Sequence, residues 1–191
     1  MQRIDEAKRQ AILKAAEELF AARPFHEVHL DDVASAARVG KGTLYIYFQS
    51  KDDLYLSVIE GGFRRLVDRL RPEVHREDGS DAWQTLELIV RELVGWAMQH
   101  PKLFELMRSA ERGEPRSGIV QTRQELTKMI ESVIRRGIRE GAMQDPHPEL
   151  TAQFIPAAVR AAVRWEADRI GREVLSRHVL RLLGHGIRRS A

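Results

Sequence analysis

Residues Val39 to Tyr55 read VGKGTLYIYFQSKDDLY, and this stretch decides the fold. It joins a short helix rich in Gly, Lys, Thr and Tyr to a second helix with a clear start signal. Ser50 stands three residues before Asp53, the spacing of a capping box, just ahead of the apolar positions Leu54, Val58 and Ile59. In the short helix only Val39, Leu44 and Phe48 are spaced to face a core. Lys41, Thr43, Tyr45 and Tyr47 carry hydrogen-bond donors, and Gly42 has no side chain. A helix that spends its surface on small and donor-bearing residues suits close approach to a phosphate backbone. The charge pattern agrees: no Asp or Glu occurs from Val33 to Lys51, whereas Arg38, Lys41 and Lys51 do.

Outward from this stretch the chain reads as helix almost throughout. Ile4, Ala7, Ala11, Ile12, Ala15, Leu19 and Phe20 define one face of a first helix, which Pro24 ends. Leu30, Val33, Ala34 and Ala37 define a short second helix, and residues 41–48 form the third. The fourth carries Leu54, Val58, Ile59, Phe63, Leu66, Val67 and Leu70 inward and is expected to stop at Arg71-Pro72. Ser80 is placed to cap a fifth helix bearing Leu86, Ile89, Val90, Leu93, Val94 and Ala97. Pro101 suits the first residue of a sixth. A seventh runs from Ile119 to Glu140, with Gly141 as a left-handed cap. An eighth follows the turn DPHP and reaches about Ile170. A ninth carries Val174, Leu175, Val179, Leu182 and Leu183. No strand-like alternation persists, so the expected class is all-α with about nine helices.

Bulk composition fits a globular chain. Of 191 residues, 43% are hydrophobic and 31% charged, enough to bury a core. A formal charge of +3 is only mildly basic, so the local acid-free window, rather than the net charge, points to nucleic acid. There is no cysteine, which excludes disulfides, thiolate catalysis and Cys-based metal sites. The seven His residues, His75, His100, His147, His178 and His185 among them, show no ligand spacing. No local Ser, His and Asp set suggests catalysis. No enzyme activity, metal or cofactor is therefore expected. No apolar run reaches the ~18 residues of a membrane span, and MQRIDEAKRQ has no apolar signal region. A cytoplasmic protein without a membrane partner is expected.

The run KGTLYIYFQSK, Lys41 to Lys51, closely resembles the DNA-binding signature of the tetracycline-repressor (TetR) family of bacterial transcription regulators. The match covers residues 8 to 60; beyond them only helical character and length agree. The resemblance implies a helix-turn-helix domain over residues 1–50. It implies a helical effector-binding and dimerisation domain over 51–191, with helix 51–70 connecting the two. A helix-turn-helix lays the N-terminal end of its second helix nearest the bases. Here that end carries Lys41 for phosphate or a guanine edge, Gly42 for close backbone approach and Thr43 for phosphate or a thymine methyl. The resemblance also implies DNA contacts from Tyr45 and Tyr47 and a phosphate contact from Lys51. Taken singly, Gly42 and the tyrosines read as ordinary packing residues; the ordered run is what gives them a role. Ile46 reads as a partly exposed filler. Three positions depart from the family pattern: Arg38 where Gly makes the left-handed bend, Gly40 where Ser caps, and His29 where Thr caps.

The C-terminal part carries weaker signals. The resemblance implies a homodimer formed by the last two helices. Ala157, Ala158, Ala161 and Ala162 make a small-residue face, flanked by Phe154 and Trp165, and the ninth helix adds Leu175, Val179 and Leu182. A small-molecule effector is implied too. Trp96, Phe104, Met107, Met129, Phe154 and Trp165 are large, adaptable candidates to bind it, although at helical spacing each also suits plain core. The expected function is a ligand-responsive regulator of a double-stranded DNA operator, released by an apolar or amphipathic effector. The alternative is a helical ligand-binding or interaction protein of the same fold that does not read DNA; intact Lys41, Thr43, Tyr45, Tyr47 and Lys51 argue against it.

Overall fold

The computed structural model describes residues 5–75, 81–100, 117–166 and 169–187, with the side chains of Ser117, Arg164, Trp165 and Glu166 outside that description. The described residues form eight α-helices and no β-strand: α1 (Glu6–Ala22), α2 (Leu30–Ala36), α3 (Lys41–Tyr47), α4 (Lys51–Val74), α5 (Ala82–Gln99), α6 (Ser117–Arg139), α7 (Pro148–Glu166) and α8 (Arg172–Ile187). The helix expected from Pro101 lies outside the described residues, so the expected seventh to ninth helices are α6 to α8. The chain divides into two compact units, Met1–Gly62 and Phe63–Ala191.

In the first unit, α1 starts at Asp5, whose carboxylate accepts from the Ala7 and Lys8 amides at 3.0 and 3.4 Å. It buries Ile12, Ala15 and Ala16. Ala7 and Ala11, expected inward, are exposed. They lie roughly 140° and 100° around the helix from Ile12, off the stripe that Ile12, Ala15 and Ala16 define. Val28, Val33, Ala34, Leu44, Phe48, Leu54 and Val58 complete this core. Beside it, the rings of Phe20, Phe25 and Tyr55 meet at centroid distances of 4.9 to 5.7 Å. Burial pushes the Tyr55 hydroxyl up to about 12.

The bend between α2 and α3 is a Schellman turn. The Arg38 amide donates to the Ser35 carbonyl and the Val39 amide to the Ala34 carbonyl, at 3.1 and 3.0 Å. Arg38 takes the left-handed position with φ 56°. A side chain there costs about 1 kcal/mol relative to Gly. The start of α4 is capped as its sequence predicts: the Ser50 hydroxyl accepts from the Asp53 amide at 3.0 Å, and the Asp53 carboxylate accepts from the Gln49 amide at 2.8 Å.

In the second unit α5 is the central helix, burying Ala82, Trp83, Leu86, Ile89, Val90, Leu93, Val94 and Ala97 against α6, α7 and α8. Its cap is Asp81, which accepts from the Trp83 amide at 2.9 Å; the expected cap Ser80 lies outside the described residues. α4 does not stop at Pro72 but runs through it to Val74. A proline in the last turn forfeits only one backbone bond. Buried Val74 and the Arg136 guanidinium, which donates to the Val74 carbonyl at 3.0 Å, hold that turn in place. Arg136 also donates to the Thr85 hydroxyl at 2.8 Å. Glu125 on α6 meets Arg64 of α4 at 2.7 Å and also pairs with Arg71. Gly141 ends the last turn of α6 at φ 75°, the left-handed cap its sequence predicts.

Candidate nucleic-acid interface

The short helix α3 is pinned on one side only. Leu44 and Phe48 are buried, and the Arg9 guanidinium lies 5.7 Å from the Phe48 ring centroid. Tyr47 packs against the same core, and its hydroxyl accepts the Asp5 amide at 3.0 Å. That contact ties the end of α3 to the start of α1. The opposite side is open. Tyr45 and Ile46 are 47% and 53% exposed, and Lys41 and Gly42 are exposed as well. Thr43 is half-buried.

Gly42 is the most telling of these. A Cβ built there meets nothing within 4 Å. Nothing inside the unit therefore requires glycine, although glycine in a helix costs about 0.5–1 kcal/mol relative to alanine. Tyr45 and Tyr47 diverge as their spacing of two implies: Tyr45 points to solvent, while Tyr47 is anchored inward and keeps its own hydroxyl proton to donate.

The two lysines assigned to DNA are both engaged inside the unit. The Lys51 ammonium donates to the Phe25 and Val28 carbonyls, each at 2.9 Å, and sits 4.5 Å from the Phe25 ring centroid. Two of its three N–H donors are thus spent on the chain between α1 and α2. Lys41 forms an ion pair with Asp31 of α2 at 2.8 Å, and that contact raises its pKa above the ordinary lysine value, through the hydrogen bond first and the charge second. Asp32 is paired in turn with Arg23 at 3.3 Å. Asp31 and Asp32 read in the sequence only as acids at the start of α2 that repel DNA; the Asp5–Tyr47 and Asp31–Lys41 contacts had no signal, because the partners stand 42 and ten residues apart.

The C-terminal candidates separate into groups. Phe104 and Met107 lie outside the described residues, as does the Trp165 side chain. Met129 is buried core. Trp96 is half-buried, with its ring 4.9 Å from both Phe63 and His100. Its indole N–H is buried and meets no acceptor among the described residues. Burial lowers the pKa of the adjoining His100. Phe154, expected both to bind effector and to flank the pairing face, is 66% exposed on α7 of the single chain, which places it with the pairing candidates rather than in the described core. Ala158 and Ala161 share the exposed side of α7, and Ala157 is half-buried. Of the expected pairing residues on α8, Leu182 is 59% exposed, whereas Leu175 and Val179 are only 4% and 6% exposed and belong to the core of their own chain. Residues on a helix step by about 100°, so Leu182 turns outward beside the inward-facing Leu183. Among the described residues, no group of three or more His, Asp or Glu side chains is placed to hold a metal ion. No helix among them is long and apolar enough to cross a membrane.

Residues 12–58 match the family model for bacterial regulatory proteins of the tetR family, and residues 79–187 match the tetracyclin repressor-like C-terminal domain. The chain belongs to the TetR family. Its members are DNA-binding transcription regulators and not enzymes. The uncharacterized HTH-type transcriptional regulator YfiR of Bacillus subtilis (strain 168) is 27% identical over 151 residues, covering 75% of this chain and 72% of that protein. Among solved structures, the transcriptional regulator FadR from Bacillus subtilis in complex with stearoyl-CoA superposes with a TM-score of 0.66 at 20% identity, covering 92% of this chain and 97% of that one. A transcriptional regulator from Saccharomonospora viridis in complex with choline superposes with a TM-score of 0.76 at 22% identity, covering 97% and 99%. At such identities the structural likeness speaks to the fold.

Proposed function

We propose that this TetR-family regulator is a homodimeric repressor that reads a double-stranded operator with α3 and releases it when an apolar or amphipathic small molecule binds the C-terminal unit. Gly42 carries the DNA part of the reading. It is a helical glycine with no internal reason to be one, on an exposed face beside Lys41, Thr43 and Tyr45. Close approach of the helix to a groove supplies the missing reason. Lys41, Thr43 and Tyr45 are assigned to direct contact. Tyr47 contributes its remaining hydroxyl proton, and Lys51 chiefly positions the start of α4, with one N–H left for phosphate. A gel shift on the DNA upstream of the gene tests this. Thr43→Ala and Tyr45→Ala should weaken operator binding about tenfold or more, given 1–3 kcal/mol per readout contact, with circular dichroism unchanged. Unchanged affinity in both variants sinks the assignment.

Dimerisation is supported by the outward apolar positions Phe154, Ala158 and Ala161 on α7 and Val174 and Leu182 on α8. A helix-turn-helix monomer covers one half-site, so a dimer is also what operator reading requires. A chain that sediments as a monomer at micromolar concentration contradicts this.

For the effector, the buried Trp96 indole N–H, without an acceptor among the described residues and next to Phe63 and His100, is the best-supported position. An unpaired buried donor costs about 1–3 kcal/mol, which a ligand acceptor would recover. Neighbours of the same fold carry stearoyl-CoA and choline. The effector acts by shifting an equilibrium toward a dimer whose heads no longer match the half-site spacing, limited by its differential affinity for the two states. A thermal-shift screen of hydrophobic compounds should give hits that also release DNA. Hits confined to metal ions or nucleotides contradict the effector reading and leave the DNA reading standing.

A further inference from the structure

The sequence leaves residues 33–51 free of acids, but the fold returns one to the reading helix. Asp31, in the first turn of α2, places Oδ1 2.8 Å and Oδ2 2.9 Å from the Lys41 ammonium at the N-terminal end of α3. Among the described residues the Lys41 and Asp31 side chains make no other hydrogen bond or ion pair, although Tyr45 lies close enough to act on the Lys41 charge. The neighbouring acid is differently occupied: Asp32 accepts from Arg23 at 3.3 Å and from the His29 amide at 3.4 Å. Both side chains of the Asp31–Lys41 pair are more than half exposed, so the pair can open.

We propose that Asp31 is a specificity-determining residue: it holds Lys41 away from phosphate on non-operator DNA and releases it only where α3 seats fully in the groove. The inference rests on the reading of α3 as the DNA-reading helix. The physical basis is competition. Non-specific binding is almost wholly the electrostatic attraction of cations to phosphates, with counterion release. A lysine neutralised by a carboxylate adds nothing to that term. It must first give up a partner already in contact, and it leaves a carboxylate facing the DNA when it does. At an operator, base contacts from Thr43 and Tyr45 fix α3 in place, and Lys41 then exchanges Asp31 for its DNA partner. The pair thereby widens the gap between specific and random sequence.

The test compares the full-length chain with Asp31→Asn and the charge-neutral double variant Asp31→Asn/Lys41→Gln. Each is titrated with a random-sequence duplex and with an operator selected from a random pool, from about 50 to about 200 mM salt. On the random duplex Asp31→Asn should bind more tightly, with a log–log salt slope steeper by about 0.9; over that range this amounts to a roughly 3.5-fold stronger salt effect. The double variant should match the wild type on the random duplex yet bind the operator more weakly. A double variant whose slope on random DNA is shallower by about 0.9 would show that Lys41 already sat on phosphate, and would overturn the inference alone. An unchanged slope in Asp31→Asn overturns it as well. If Asp31→Asn does not fold, Asp31→Ser takes its place in both variants. A wild type that binds no duplex at low salt overturns the DNA-reading assignment and this inference together.

Discussion

Replacing Gly42 by alanine should move stability and DNA binding in opposite directions. The added Cβ meets no atom within 4 Å, so the methyl enters open space and clashes with nothing in the chain. Alanine also narrows the unfolded ensemble. Because Gly42 lies in the first turn of a seven-residue helix, the gain should sit at the low end of the usual range, about 0.5 kcal/mol. The same methyl occupies the surface through which α3 would approach the groove. Losing one close contact of ordinary worth, about 1.4 kcal/mol, lowers operator affinity roughly tenfold. Gly42→Leu should gain similar stability and lose more binding. Amide hydrogen exchange over residues 30–48 reads the stability change within the first unit. All three tryptophans fall in the second unit, so their emission is a control that should not move. Operator affinity is read by anisotropy. A destabilised Gly42→Ala would mean that packing, not DNA, requires the glycine. A stabilised variant with unchanged operator affinity would remove Gly42 from the interface.

Lys51→Met removes two charge-assisted bonds and the contact with the Phe25 ring, and should destabilise the first unit by about 2 kcal/mol, seen as roughly 30-fold faster exchange of its core amides; unchanged exchange would make Lys51 a phosphate ligand only. Leu175→Ala should cost about 2–3 kcal/mol by chemical denaturation without changing the oligomeric state, whereas Phe154→Glu should leave the chain folded and dissociate the proposed dimer by sedimentation; the reverse pattern would exchange their roles. Arg38→Gly should raise stability by up to about 1 kcal/mol in denaturant melts, since it relieves a left-handed φ at some cost in unfolded-state entropy. Arg71 and then Arg64 hold the Glu125 carboxyl below its ordinary value, against the desolvation that raises it. Its stabilising contribution is therefore full above the unfolded carboxyl pKa of about 4.3 and lost as pH falls through the lower folded value. Denaturation midpoints should fall less steeply with acid in Glu125→Gln than in wild type, and equal slopes would refute the linkage.

Much of this protein is determined by its sequence alone, because local rules govern those features. Helical periodicity, the Ser50–Asp53 cap, the left-handed Gly141 and the strained Arg38 bend depend on residues within a turn of one another, and the structure holds each of them. The run from Lys41 to Lys51 was legible as a family signature for the same reason of contiguity. What the sequence could not reveal depends on which residues meet across turns. Leu175 and Leu182 share a spacing of seven, yet one is core and the other solvent-facing, because only the docking of α8 on α5 sets where its buried stripe ends. Phe154 reads as a pocket residue by type and faces outward by position. The lysines show the point most sharply. As letters, Lys41 and Lys51 are free cations at either end of the proposed reading helix. In three dimensions one is held by Asp31 and the other by the Phe25 and Val28 carbonyls, because an ammonium binds whatever acceptor the fold brings within 3 Å.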